Sequence, residues 1–251
     1  MSLAKGRAVS QGKAMVPLSF AGQEWRLTAT GALYWPRENA LLVADLHLEK
    51  ASFFARHGQP LPPYDSRETL ERLALALRET GARRVFCLGD SWHDRAGVDR
   101  LEPHARGMLA ALTRVADWVW ITGNHDAGAA VAGTKAEELA VSGIALRHQA
   151  MPGETGPELS GHYHPKLRLT VRGRRIARPC AVRSERRMIL PAFGALTGGL
   201  DARDPAILSA LQPASLIEAV LPAGARLVQF PLWQSARPGS PPGGAEAGPD
   251  F

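Results

Sequence analysis

Continuous apolar runs that stop abruptly at polar groups set the frame of this 251-residue chain. Ala40-Leu41-Leu42-Val43-Ala44 stops at Asp45-Leu46-His47, and Arg84-Val85-Phe86-Cys87-Leu88 stops at Gly89-Asp90-Ser91-Trp92-His93-Asp94. A third run over residues 117–122 closes on Gly123-Asn124-His125-Asp126. Short runs without polar alternation predict strands buried on both faces. Between the first two, Leu70, Leu73, Ala74 and Leu77 recur at helical spacing behind Asp65, a candidate cap with Glu68 three residues on, and Gly81 ends the helix. A second helix is predicted over residues 99–114, so strand, helix, strand, helix, strand predicts a parallel sheet. Ahead of it, residues 16–20 and 25–28 around Ala21-Gly22-Gln23 predict a hairpin. Beyond Asp126 the β-like segments are shorter, at 139–142, 144–148, 158–160, 167–172, 175–182 and 188–192, and they predict a second sheet. Residues 207–211 suggest a short helix, and 216–220 with 226–230 a closing hairpin.

Length and composition suit one large α/β domain over residues 16–234. Residues 1–15 are small, polar and basic, which predicts a flexible arm, and residues 235–251 are rich in Pro, Gly and Ala, which predicts a disordered tail. Two cysteines, Cys87 and Cys180, make no disulfide framework, and no apolar run is long enough for a membrane span or a signal peptide. A reducing cytoplasm and no membrane partner are therefore expected.

The net charge of +6 is placed unevenly. Residues 151–200 hold nine Lys or Arg against three acids, an excess equal to that of the whole chain. Clustered guanidinium groups suit a polyanionic partner such as DNA. Heavy use of Arg, Ala, Gly and Pro is also what a GC-rich gene produces.

Six of the eight histidines lie in or beside five short stretches: Asp45-Leu46-His47, Gly89-Asp90, Gly123-Asn124-His125-Asp126, His148, and Gly161-His162-Tyr163-His164-Pro165. Several follow a predicted strand, where open α/β sheets bind ligands. In Asp-x-His and His-x-His, an extended backbone would aim both side chains at one cation. Asp, Asn and His donors suit Mn, Fe or Zn rather than a thiolate-preferring ion.

Taken in order from Asp45 to Pro165, these stretches resemble the calcineurin-like metallophosphoesterase superfamily. The resemblance implies a four-layer α/β fold, with two mixed β-sheets face to face and flanked by helices. It implies that Asp45, His47 and His164 hold one divalent metal, that Asn124, His148 and His162 hold a second, and that Asp90 bridges them. The motif around His148 departs from the usual pattern, since Arg147 and Gln149 flank it where a Gly is expected. Val43-Ala44-Asp45-Leu46-His47-Leu48-Glu49-Lys50, Leu88-Gly89-Asp90-Ser91-Trp92-His93-Asp94 and residues 191–199 are most similar to the bacterial DNA-ligase-associated metallophosphoesterases. That family implies a Mn-dependent DNA endonuclease or phosphodiesterase that works in DNA repair beside a helicase, an exonuclease and a ligase, on single-stranded or structured DNA.

A mechanism follows from those roles. Two ions ~3.5–4 Å apart would acidify a bridging water and clamp the phosphate. His125, oriented and kept cationic by Asp126, would protonate the leaving alkoxide, and His93 would touch a phosphate oxygen or the leaving group. The rival readings are a small-molecule phosphodiesterase or phosphatase of the same fold, and a protein-binding scaffold without catalysis.

Overall fold

The computed structural model describes residues 15–126 and 131–235. Of the predicted arm and tail, only Met15 and Ser235 fall within it: Met15 opens the first strand, and the Ser235 amide donates to Ser215 O at 3.0 Å. The rest of both segments lies outside the described residues.

Strands β1 (Met15–Phe20), β2 (Gln23–Thr28), β3 (Leu33–Trp35) and β4 (Ala40–Val43) form an antiparallel run. From β4 the sheet turns parallel, through β5 (Arg84–Leu88) and β6 (Asp117–Ile121) to β7 (Thr134–Ala136). This is the predicted parallel unit with its preceding hairpin, lengthened by β7. Helices α1 (Lys50–Arg56) and α2 (Asp65–Thr80) lie between β4 and β5, and α3 (Gly97–Arg100) and α4 (Pro103–Val115) between β5 and β6.

The single helix predicted over 99–114 is two helices. Pro103 lacks the amide that would continue α3, and it sits instead in the first turn of α4, where Glu102 caps by accepting from the amides of His104 and Ala105. Asp65 is likewise not the cap of its own helix. It is the first residue of α2, and its Oδ2 accepts from the Ala51 amide at 3.0 Å, so it caps the start of α1 across a loop. Gly81 does end α2, in the left-handed conformation at φ 68°.

A second seven-stranded sheet holds β8 (Glu138–Val141), β9 (Ile144–Arg147), β10 (Glu158–Ser160), β13 (Ala181–Arg183), β14 (Arg187–Ile189), β15 (Leu216–Ala223) and β16 (Arg226–Gln234), in the order β16-β15-β13-β14-β10-β9-β8. Between β10 and β13, β11 (Lys166–Val171) and β12 (Arg174–Pro179) form a separate two-stranded ribbon. The predicted strand over 175–182 is therefore divided, because the chain changes partners at Cys180, whose amide donates to Pro165 O. The last helix is α5 (Pro205–Ala210).

Alternation along β4 explains the layers. Leu41 and Val43 pack against α2 and α4 with Leu70, Leu73, Leu109 and Leu112, whereas Ala40, Leu42 and Ala44 face the second sheet. There they meet Leu146, Leu159, Met188 and Val220, which gives a sheet-on-sheet core. The far face of the second sheet packs Val182, Ile189 and Ile217 against Ile207 and Leu211. These are the four layers, although the outermost one holds only the short α5 and irregular chain. Cys87 and Cys180 are both buried and free, and no helix among the described residues is long and apolar enough to cross a membrane.

Candidate metal centre

Five parallel strands end on one rim, and each hands its next residues to the same place. Asp45 and His47 follow β4, Asp90 and His93 follow β5, and Asn124, His125 and Asp126 follow β6. From the facing sheet, His148 follows β9, and His162 and His164 follow β10. The loops after β4 and β5 remain laced together: the amides of Asp45, His47 and Leu48 donate to the carbonyls of Gly89, Asp90 and Ser91 at 3.1, 2.9 and 2.9 Å.

Two groups of donors result. Asp45, His47 and His164 form one, and Asp90, His148 and His162 the other, each with its ligand atoms within 4.8 Å of one another. In the first, His47 Nε2 and His164 Nε2 face each other at 3.2 Å; in the second, His148 Nε2 and His162 Nδ1 do so at 3.1 Å. Asp90 Oδ2 joins the groups, lying 4.0 Å from His47 Nε2 and 3.5 Å from His148 Nε2. Asp45, His47 and His164 fall together, and so do His148 and His162, but the spacing argument fails. Asp45, His47, His162 and His164 all have positive φ, so neither Asp-x-His nor His-x-His is extended, and the two histidines of His-x-His serve different groups. Left-handed backbone at so many non-glycine donor positions is strained, a condition that clusters at functional sites.

The donor set fits divalent cations. Asp45 and Asp90 are buried at 0% and 4% exposure, and among the described residues no Lys or Arg pairs with either. Buried carboxylates need a positive partner. His47 cannot supply one, because burial first and His164 second lower its pKa to about 2. Burial and then His148 lower that of His162 as well. Neutral imidazoles beside unpaired carboxylates form a nitrogen and oxygen set that Mn, Fe or Zn would fill.

The remaining candidates are placed as follows. Asn124 is exposed and lines an open pocket with His148, on the side of the second group. His125 is half exposed; its amide donates to Asp90 Oδ1 at 3.1 Å, and its Nε2 lies 3.9 Å from Asp90 Oδ2. Asp126 is not the carboxylate that faces His125. Its Oδ1 accepts from the Trp92 amide and its Oδ2 from the Gly123 amide, so it ties the turn after β6 to the loop after β5. Burial raises its pKa, against those backbone hydrogen bonds. His93 belongs to neither group. Its ring is parallel to that of His125 at 5.9 Å and 5.7 Å from that of His47, and it rests against Phe53 and Phe54 of α1.

Two glycines matter more than their turn chemistry suggests. A Cβ on Gly89 would lie 2.2 Å from His148 Nδ1, and one on Gly161 would lie 2.5 Å from Asp45 Oδ2. Each thus lets a donor of the opposite sheet come in. The available signal is the glycine immediately before Asp90 and the one immediately before His162, and in the sequence each reads only as a turn.

No family model matches the chain, and no curated protein matches it. Among solved structures it is similar to the nuclease MPE of Pseudomonas putida, with 31% identity, a TM-score of 0.66, and coverage of 85% of this chain and 98% of that one. The phosphoesterase Yfce of E. coli (13% identity, TM-score 0.40, 77% of this chain and 98% of that one) and a predicted phosphoesterase of Streptococcus pneumoniae TIGR4 (14%, 0.31, 76% and 96%) are more distant and carry no weight. With near-complete coverage of the Pseudomonas structure and a two-group donor centre at the strand ends, the chain belongs to the calcineurin-like metallophosphoesterases, fits their DNA-ligase-associated family, and is a metal-dependent phosphoesterase.

Proposed function

We propose that this phosphoesterase is a DNA endonuclease of DNA repair that hydrolyses phosphodiesters with two divalent ions, Mn ahead of Fe or Zn. Asp45, His47 and His164 would hold one ion and Asn124, His148 and His162 the other, with Asp90 between them. The observation that carries the reading is Asp90 Oδ2, which approaches nitrogens of both groups and has no Lys or Arg partner among the described residues. Support for DNA comes from the similarity to a nuclease and from Arg172, Arg174, Arg175 and Arg178 on the exposed ribbon, none of whose guanidinium groups has an ion pair or hydrogen bond among the described residues.

When bound, such ions supply Lewis acidity that activates water and neutralises phosphate charge. The chain supplies the rest. Asp90 Oδ1 pins the His125 amide, so the half-exposed ring stands beside the centre and within reach of a substrate. From there Nε2 delivers a proton to the departing alkoxide, with Asp90 rather than Asp126 as the carboxylate that faces the ring. His93 lies parallel to the His125 ring at 5.9 Å, on the same side of the centre, where it would touch a phosphate oxygen or the leaving group. The chain acts in the cytoplasm in this reading, with repair helicase, exonuclease and ligase as partners.

The test is Mn-dependent nicking of single-stranded circular DNA beside hydrolysis of a small aryl diester. Wild type is expected to do both. His125→Ala is expected to bind metal normally and to lose turnover on DNA, whose alkoxide leaves poorly, more than on the aryl diester, whose phenolate needs little protonation. Equal losses on both would remove His125 as the acid. Activity on the aryl diester alone would favour a small-molecule phosphodiesterase.

A further inference from the structure

The nine basic residues of the 151–200 segment do not form one patch. Arg183 pairs with Glu218, Arg186 donates to Thr155 O, and Arg187 is wholly buried and bonded to the carbonyls of Met151, Glu154 and Gln212. What remains is the ribbon and its root. There a cavity of about 600 Å³ opens, within the ~300–1,000 Å³ usual for ligand sites. Its lining includes Arg72, Lys166 and Arg178 and contains no Asp or Glu.

This cavity adjoins the first donor group. Gly194 forms part of its wall and donates its amide to Asp45 O at 3.2 Å. Lys166 follows His164 by two residues, and a Cβ on neighbouring Gly199 would meet both His164 O and Lys166 Cε. The turn at Thr28–Gly31, also in the lining, leads into β3, whose Leu33 is paired with Leu42 near the end of β4.

The cations are only partly engaged. Arg72 pairs with Glu68 one turn back on α2, the Lys166 ammonium donates to the neutral Thr197 O at 2.9 Å, and the Arg178 guanidinium has no ion pair or hydrogen bond among the described residues. The lining is otherwise small and polar or apolar, with Thr, Gly, Ala and Pro and no aromatic ring. Such a wall attracts phosphates by charge and offers no aromatic ring on which a base could stack.

We infer that this cleft holds the sugar–phosphate backbone of the substrate strand on the His164 side of the scissile phosphate, through Arg72, Lys166 and Arg178, without reading base sequence. The inference rests on the proposal of an extended phosphodiester substrate. It implies that affinity grows with strand length on one side of the cut and falls with salt. Backbone contacts of this kind position a strand and do not specify it.

The experiment measures oligothymidylates of increasing length as competitive inhibitors of aryl diester hydrolysis by the Mn-loaded protein, over a range of salt. Arg72→Gln/Arg178→Gln is compared with wild type and with Arg114→Gln, a charge control at the end of α4 and outside the cleft lining. The double variant is expected to raise the inhibition constant of the long oligomers roughly tenfold, to leave that of thymidine monophosphate within about twofold, and to reduce the salt slope by about 1.4 for two lost phosphate contacts. An unchanged inhibition constant and slope in the double variant, or the same rise in Arg114→Gln, would overturn the cleft. Wild type that is inhibited with length dependence yet never nicks DNA would keep the cleft and sink the nuclease reading.

Discussion

The first sheet brings both acidic donors to the centre, Asp45 and Asp90, whereas the second brings only imidazoles, His148, His162 and His164. Neither sheet carries a sufficient set alone. The first adds His47, and its loops are laced by backbone hydrogen bonds; the second reaches across with Gly161 against Asp45 and receives Gly89 against its own His148. The centre is therefore a property of the interface between sheets, and side chains that touch no substrate can abolish it by moving one layer.

The two layers depend most on Asp90, the acid that approaches nitrogens from both. Asp90→Ala is expected to lower Mn-dependent aryl diester hydrolysis by more than about 100-fold, beyond the usual cost of an outer-shell change, and to lower the bound metal per chain. Undiminished turnover with full metal content would show that the acid does not join the groups. Next in size is Arg187 in β14, at 0% exposure and against Glu158 at 3.4 Å. Arg187→Ala leaves the buried Glu158 with Arg147 at 3.5 Å as its remaining cation and strands the three carbonyls that Arg187 holds, and it is expected to cost about 3 kcal/mol or more in urea unfolding. A loss below about 1 kcal/mol would show that the second layer does not depend on this pair.

Gly89→Ala replaces no donor but presses one layer against the other. The added carbon meets the His148 ring, and φ of 78° at Gly89 disfavours a side chain in any case. Metal affinity by titration is expected to fall roughly 10- to 100-fold with far-ultraviolet dichroism retained; unchanged affinity would mean that the layers can separate at no cost to the site. The smallest effect belongs to Glu102→Ala on the outer face of the first sheet, where loss of the α4 cap is expected to cost about 1 kcal/mol and to leave metal binding intact.

The two layers also differ in how far they can be read from the sequence. Strands β4, β5 and β6 are uninterrupted apolar runs that stop at Asp45, Asp90 and the Gly123 turn, so the break in hydrophobicity marks both the strand end and the site. The second layer offers weaker signals. Its strands are short, and a change of partner at Cys180 leaves no mark in the hydrophobic pattern. Counting charge over residues 151–200 could not separate Arg187, which is buried and holds three carbonyls, from Arg178, which is exposed. Asp126 misleads for a related reason. It stands next to His125 in sequence, but the amides of Trp92 and Gly123 that occupy its carboxylate become neighbours only after folding. The helix at Lys50–Arg56 gave no periodic signal because it is under two turns long.

One contact across the layers settles a question of proton placement. Leu88 O lies 3.1 Å from His148 Nδ1, and since a carbonyl can only accept, that nitrogen carries the hydrogen. Nε2 of that ring faces Asp90 Oδ2 at 3.5 Å and His162 Nδ1 at 3.1 Å. A main-chain carbonyl of one layer thereby orients a ring borne by the other, and turns its far nitrogen toward the place where the two donor groups meet.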